Sequence, residues 1–359
     1  MTVGQHPGRM APDARVAGAV AAALAIGFLF ITSILGAYHA PAPHDVPVAV
    51  VGPPQLTVPV SAALSMQDPG AFEVVAYRSA AAATHAIQFR DVDAALVLPP
   101  PGAAASAGQH QAHLIIASGI GAAATQVIET IFIRAAAATG TAVAVHDIAP
   151  LPPGDPLGVS PYFLAVALYL PSFLFGILLT FAVPRASTFS KIAAVIVFAA
   201  FLGVAEVAVA DGLIGALTGH AAALTGLGML TSLAFVATVA ALGRVLGAVG
   251  IGLSTLTFLV AGIPSSGGPF GVLFLPAFYR VVGPGLPLTN ATTAARNISY
   301  FSGHAGAAPL GVLAAWAGGG LLVLTVTALI EKAPTAPRWL RRSHHPAIRL
   351  SQDSATAAP

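Results

Sequence analysis

The chain has 359 residues, of which 56% are hydrophobic and 8% charged, with a formal net charge of +2 at pH 7. Soluble domains carry about 25% charged residues, so this composition, with a mean hydropathy of +0.84, excludes an ordinary soluble protein and implies several membrane spans. Cysteine is absent, which excludes disulfides, a thiolate nucleophile and any Cys-ligated metal.

Residues 1–15 are polar and basic, with Arg9 and Arg15. Residues 16–37 form one apolar run, long enough to cross a bilayer at about 20 residues per span. A cleaved signal peptide has a shorter apolar region and a small-residue cleavage site. Here the candidate site Ala40-Pro41-Ala42 is spoiled by proline, so the run reads as an uncleaved signal anchor.

Residues 38–160 are the one long segment without a span. A Pro-rich linker, Pro41 to Pro47, precedes a short strand, Val48–Val51, and a second, Phe72–Tyr77. Ser79–Phe89 is Ala-rich and helical, and Ala94–Leu98 is a third strand stopped by prolines. His113–Ala117 is a fourth strand, Ala122–Ala138 a helix with Val127, Ile128, Ile131 and Phe132 on one face, and Thr141–Val145 a last strand. Strands alternating with helices predict a small α/β domain with a mainly parallel sheet.

Membrane-length apolar runs return at Tyr162–Val183, Ile192–Ala210, Ala221–Leu242, Val245–Ile263 and Leu310–Ile330. The expected fold is a membrane all-α bundle of six transmembrane helices, with a small extracytoplasmic α/β domain between the first and second. The parts are a cytoplasmic N-terminus (1–15), the anchor (16–37), the domain (38–160), a five-helix membrane domain (161–330) and a cytoplasmic tail (331–359). Charge sets the orientation. Arg9, Arg15, Arg185, Lys191, Arg244, Lys332, Arg338, Arg341, Arg342 and Arg349 fall on one side, and Arg78, Arg90, Arg134, Arg280 and Arg296 on the other. The positive-inside rule puts the first set and both termini in the cytoplasm. The tail, with Pro334, Pro337 and His344-His345, reads as a stop-transfer flank near anionic headgroups.

The chain contains no Gly-Lys pair and so no Walker A loop, no His-Glu-x-x-His and no Gly-x-Ser-x-Gly elbow. His44, His85, His110, His113 and His146 lack ligand spacing, so no metal, cofactor or enzymatic chemistry is expected. No nucleic acid is expected either. Intramembrane ionisable residues are costly and mark function by default. Glu206 lies inside the third span, and Asp211 closes it. They read as a coupling pair or conduit lining, or as a buried Glu held by neighbouring hydroxyls. Gly243-x-x-x-Gly247 permits close helix contact, within one copy or between two.

The stretch after the fifth span is the most unusual. Pro264, Ser265, Ser266, Gly267, Gly268 and Pro269 break the helix, yet Phe270–Phe278 stays apolar. Arg280 and Arg296 place charge nearby, and Pro287 opens an amphipathic helix starting near Thr289 or Asn290. Irregular backbone at membrane depth must be covered by protein or line a wet cavity. Residues 264–307 therefore read as a re-entrant or interfacial segment. As a hairpin it would gate a pathway; the alternative is a connector lying in the headgroups. Glu206, Asp211, Pro264, Ser265, Ser266, Gly267, Gly268, Pro269, Pro287 and Arg296 are the candidate pathway or gate residues.

One anchor, one outer segment and five further spans resemble the layout of the phage infection protein-like family, within the type-2 ABC transporter permease superfamily. Phe72–Ile87 followed by Val92–Pro99 is similar to that family's strand, helix and proline-stopped strand. Gly262–Phe270, Leu286-Pro287 and Arg296-Asn297-Ile298 are similar to its Pro/Gly-Gly and Leu-Pro loop before the last span. Members that serve as phage receptors carry a much longer outer domain. The resemblance implies a bacterial inner-membrane permease-like subunit exporting an apolar or amphipathic molecule. It implies a homodimer in contact with membrane lipids, served by a separate ATPase that docks at Arg185–Lys191 and Arg244. The alternative is a non-transporting envelope protein, a scaffold or surface receptor, acting through its outer domain.

Overall fold

The computed structural model describes residues 12–67, 69–99, 111–138 and 142–332. The N-terminal segment before Pro12, His110 and the basic tail after Lys332 lie outside the described residues.

A long helix, α1 (Pro12–Tyr38), leads into β1 (Val46–Val51). Then follow α2 (Pro54–Gln67), β2 (Phe72–Tyr77), α3 (Ala80–Gln88), β3 (Ala94–Val97), β4 (Ala112–Ile116), α4 (Ala122–Ala138) and β5 (Val143–Asp147). The five-stranded sheet has the order β2-β1-β3-β4-β5. Its pairings are parallel except β3 with β4, so the sheet is mixed. Helices α2, α3 and α4 each return the chain for a parallel pairing; β4 instead pairs antiparallel with β3, and residues 100–110 between them lie outside the described residues. Helices α2 and α4 pack against each other on one face. The sequence analysis assigns no element between Val51 and Phe72, where α2 lies. Pro54 opens the helix, where its missing N–H is not needed. Pro59 lies inside and removes one bond, while Val60 and Leu64 bury against the sheet domain's core. Ser79 starts α3 as its N-cap, its side chain accepting from Ala82 N at 3.2 Å.

The bundle follows: α5 (Ser160–Phe181), α6 (Thr188–Val207) with a π turn at Ala208–Leu213, and α7 (Ala221–Leu246). Next come α8 (Ala248–Ser254), a π stretch Thr255–Gly262 and α9 (Ile263–Ser265). After α10 (Ala277–Val282) and α11 (Pro287–Tyr300), α12 (Ala307–Lys332) closes the described chain. Six helices are long and apolar enough to cross a membrane: 16–38, 160–181, 188–213, 221–246, 248–265 and 307–332. This is a multi-pass membrane protein by length and composition of its helices. The turn between the fourth and fifth spans falls at Gly247, where φ is +59°, and Arg244 lies in the last turn of α7 rather than between helices. Helix α8 runs on through Pro264 because the wide π stretch before it absorbs the missing N–H and the ring clash. Helices α6 and α7 cross closely at glycine: a Cβ on Gly203 would lie 2.9 Å from the carbonyl carbon of Gly228.

The sheet domain and the bundle share packing. The domain's core includes Phe274 and Phe301, which belong to the chain around α10–α12. The linker after α1 adds backbone bonds, Ala42 N to Phe274 O at 3.3 Å and His44 N to Leu273 O at 2.9 Å. The opposite end of the bundle is closed by Glu331, which accepts from Thr188 Oγ1 at 2.8 Å and ion-pairs with Arg244, joining α6, α7 and α12.

Candidate functional site

Helix α11 is the least apolar of the long elements, yet it is packed among α5, α7 and α12. Residues 287–297 are buried apart from half-buried Thr293. A helix lying flat in headgroups would expose one side; this one does not. Its start is set by Pro287 in the first turn, and Asn290 Nδ2 donates to Leu286 O at 2.8 Å and Pro284 O at 2.9 Å.

The segment before it descends into the bundle. Tyr279 Oη donates to Ser33 O at 2.8 Å, below the end of α1. Trp316 Nε1 donates to Gly285 O at 2.9 Å. Trp316 is nine residues past Ala307, so Gly285 lies about 13 Å along α12 at 1.5 Å per residue. Helix α11 then climbs back, about 21 Å over its length, to the sheet domain.

At the top of α11, Arg296 is 6% exposed, and its Nε and Nη2 find no acceptor among the described residues. Burial pushes this guanidinium down to about 10, with Arg90 adding to the effect and Tyr300, Asp155 and Asp93 opposing it. A Cβ on Gly121 would lie 2.8 Å from Pro269 O and 3.6 Å from Arg296 Nη2. The domain, the 264–287 segment and α11 thus converge on this cation. Around it, Asp155 accepts from Val159 N and Ser160 N at 3.1 Å each, capping α5, and from Tyr300 Oη. Burial, then the bond to Asp155, raises the Tyr300 phenol well above its ordinary range. Arg90 pairs with Asp93 at 3.0 Å and lies 4.7 Å from the Phe301 ring centroid.

On the same helix, Thr292 Oγ1 below Arg296 and Asn297 Oδ1 and Ser299 Oγ beyond it are also buried without partners among the described residues. Residues 292, 296 and 299 recur at helical spacing and share a face. Thr289 differs, its Oγ1 donating to Ser265 O at 3.1 Å.

The other candidate residues divide by role. Pro264, Ser265 and Ser266 are buried. Ser266 Oγ donates to Ile263 O at 2.7 Å and accepts from Gly268 N at 3.3 Å. Gly267 and Gly268 have φ of +79° and +46°, a conformation glycine adopts without strain. These residues build a tight turn rather than an open surface. Glu206 and Asp211 are half-buried on α6 and its π turn, apart from this segment, and make no hydrogen bond or ion pair with any described residue. A cavity of about 640 Å³ lies between α10, the first half of α11 and the start of α12. The sequence points to Arg296 but not to the unpaired oxygens on either side of it, nor to Asp155, Tyr300 or the cavity. The spacing of Thr292, Arg296 and Ser299 was the available signal.

No family model matches the chain, and no curated protein matches it.

Proposed function

We propose that this chain is a permease-like membrane subunit of an ABC-type exporter for an apolar or amphipathic substrate, working with a separate ATPase. The observation that carries the reading is α11. It is a polar helix inside an apolar bundle, with an unpaired guanidinium and unpaired Thr292, Asn297 and Ser299 oxygens. Buried polar groups are nearly always bonded, and each orphan calls for an explanation. In a membrane bundle such groups mark substrate or ion paths. In this reading α11 lines the path, and the turn at 264–269 closes it where it meets the sheet domain. Glu206 and Asp211, on α6 and its π turn, bond to no described residue and are the carboxylates available to couple to protons.

The charge distribution supports a bacterial plasma-membrane protein with both termini in the cytoplasm and the sheet domain outside. The Arg244–Glu331–Thr188 cluster then faces the cytoplasm, where an ATPase would dock against α6, α7 and α12. The layout and the 262–298 motifs resemble phage infection protein-like permeases, and a homodimer suits the small residues of the fourth and fifth spans and the turn between them that one copy leaves open, Gly226, Gly247 and Gly252.

The test is affinity capture of the full chain from native membranes after mild crosslinking, with partners identified by mass spectrometry. A stoichiometric ATPase is expected. Recovery of cell-wall or secretion proteins without an ATPase would replace the permease with an envelope scaffold.

A further inference from the structure

The 640 Å³ cavity lies in the size range of small-molecule sites, about 300–1,000 Å³. Its walls are largely apolar, with Val272, Leu273 and Val312, and Thr289, Asn290 and Thr293 of α11 also line it. Arg280 is the one charged residue among those lining it. Its Nη1 donates to Asp45 Oδ2 at 2.9 Å, while its Nε is buried with no acceptor among the described residues. Asp45 is 69% exposed in its side chain, so this is a surface pair of small net value that a second acid can displace or join. The guanidinium fork suits a carboxylate or phosphate.

The rim decides what can enter. Val281 is 80% exposed, and Ala277 and Ala308 are exposed beside it. An apolar rim on the flank of a membrane bundle faces acyl chains rather than water. Arg280 meets Asp45 where the linker joins the sheet domain, the level at which headgroups would lie. Cation and apolar walls are thus ordered as head and tail are in a lipid.

We propose that this cavity binds an anionic amphiphile, an apolar chain under an acidic head, with Arg280 holding the head. That the ligand is cargo rests on the permease reading; that it binds does not.

The experiment uses the full chain in nanodiscs of phosphatidylcholine and measures binding of radiolabelled palmitate, palmitoyl lysophosphatidate and hexadecanol. Both acids are expected to bind about tenfold or more tighter than the alcohol, the equivalent of one charge-assisted bond. The tighter of the two acids identifies carboxylate or phosphate as the preferred head. Arg280→Gln should remove the acid preference and leave hexadecanol binding unchanged, which also shows that the variant is folded. Asp45→Asn should tighten both acids, because it removes the competing carboxylate. Equal binding of acid and alcohol by the unaltered protein overturns the proposal, as does an Asp45→Asn variant with no gain. Either failure leaves the ATPase capture, and the permease reading with it, untouched.

Discussion

Arg296 concentrates the chemistry at the scale of single residues. A buried cation lacking hydrogen-bond acceptors destabilises the fold, and replacing buried charge by apolar side chains is often neutral or stabilising by about 1–4 kcal/mol. Arg296→Met is therefore expected to melt at the same temperature as the unaltered protein or higher, measured by thermal unfolding in detergent. A marked loss would mean that the field of Asp155 and Asp93 holds the junction. The pH dependence follows from the sign of the shift. Burial pulls the folded guanidinium down to about 10, below the ordinary arginine range of the unfolded chain, so its burden is complete below about 10 and fades above it. The stability gap between Arg296→Met and the unaltered protein should narrow as pH is raised through that window. Asp155 has the opposite character. It caps α5 through two backbone N–H groups and receives Tyr300 Oη. Asp155→Ala should lose about 1–3 kcal/mol, and Tyr300→Phe distinctly less. Equal losses in denaturant titrations would show that the cap contributes nothing.

At the scale of elements, α11 shows how one helix can hold both structural and unpaired polar groups. Thr289 bonds Ser265 O and ties α11 to the end of α9; the hydroxyl of Thr292, one turn on, bonds nothing among the described residues. Thr→Val keeps the shape and removes the hydroxyl. Thr289→Val should therefore destabilise by about 1 kcal/mol, while Thr292→Val should be neutral or stabilising. If both lower the melting temperature alike, Thr292 has a bonded partner in solution. The same helix shows what sequence reasoning can and cannot reach. Its polarity and its proline start are local and were legible. Its burial depends on α5, α7 and α12 closing around it, and no window of α11 contains them. Helix α2, for which the sequence analysis has no element, is held by Val60 and Leu64, an apolar pair that only the sheet domain's core buries.

For the whole molecule, the sheet domain is not a detachable head. Phe274 and Phe301 complete its core, so excising it would uncover apolar surface on the bundle. Orientation is testable because the chain has no cysteine. Ser187→Cys and Ser302→Cys, both at exposed positions at opposite ends of the bundle, give single labelling sites. In intact cells a membrane-impermeant maleimide should label Ser302→Cys and label Ser187→Cys only after lysis. Labelling of both from outside would contradict a bundle that crosses the membrane with the sheet domain external.

The sequence by itself determined that six segments can span a membrane, since span length is a local property of some twenty consecutive residues. It also marked the strands of the sheet domain and the odd stretch at 264–287. Only the tertiary structure decided that β4 reverses the sheet, that Arg244 belongs to α7 and meets Glu331, and that the Ser265–Gly268 turn is buried construction. It also decided that Arg296 is left without an acceptor and that Arg280 stands over an apolar cavity. Each of these depends on what a side chain meets across the fold, and that is set by which distant elements pack together.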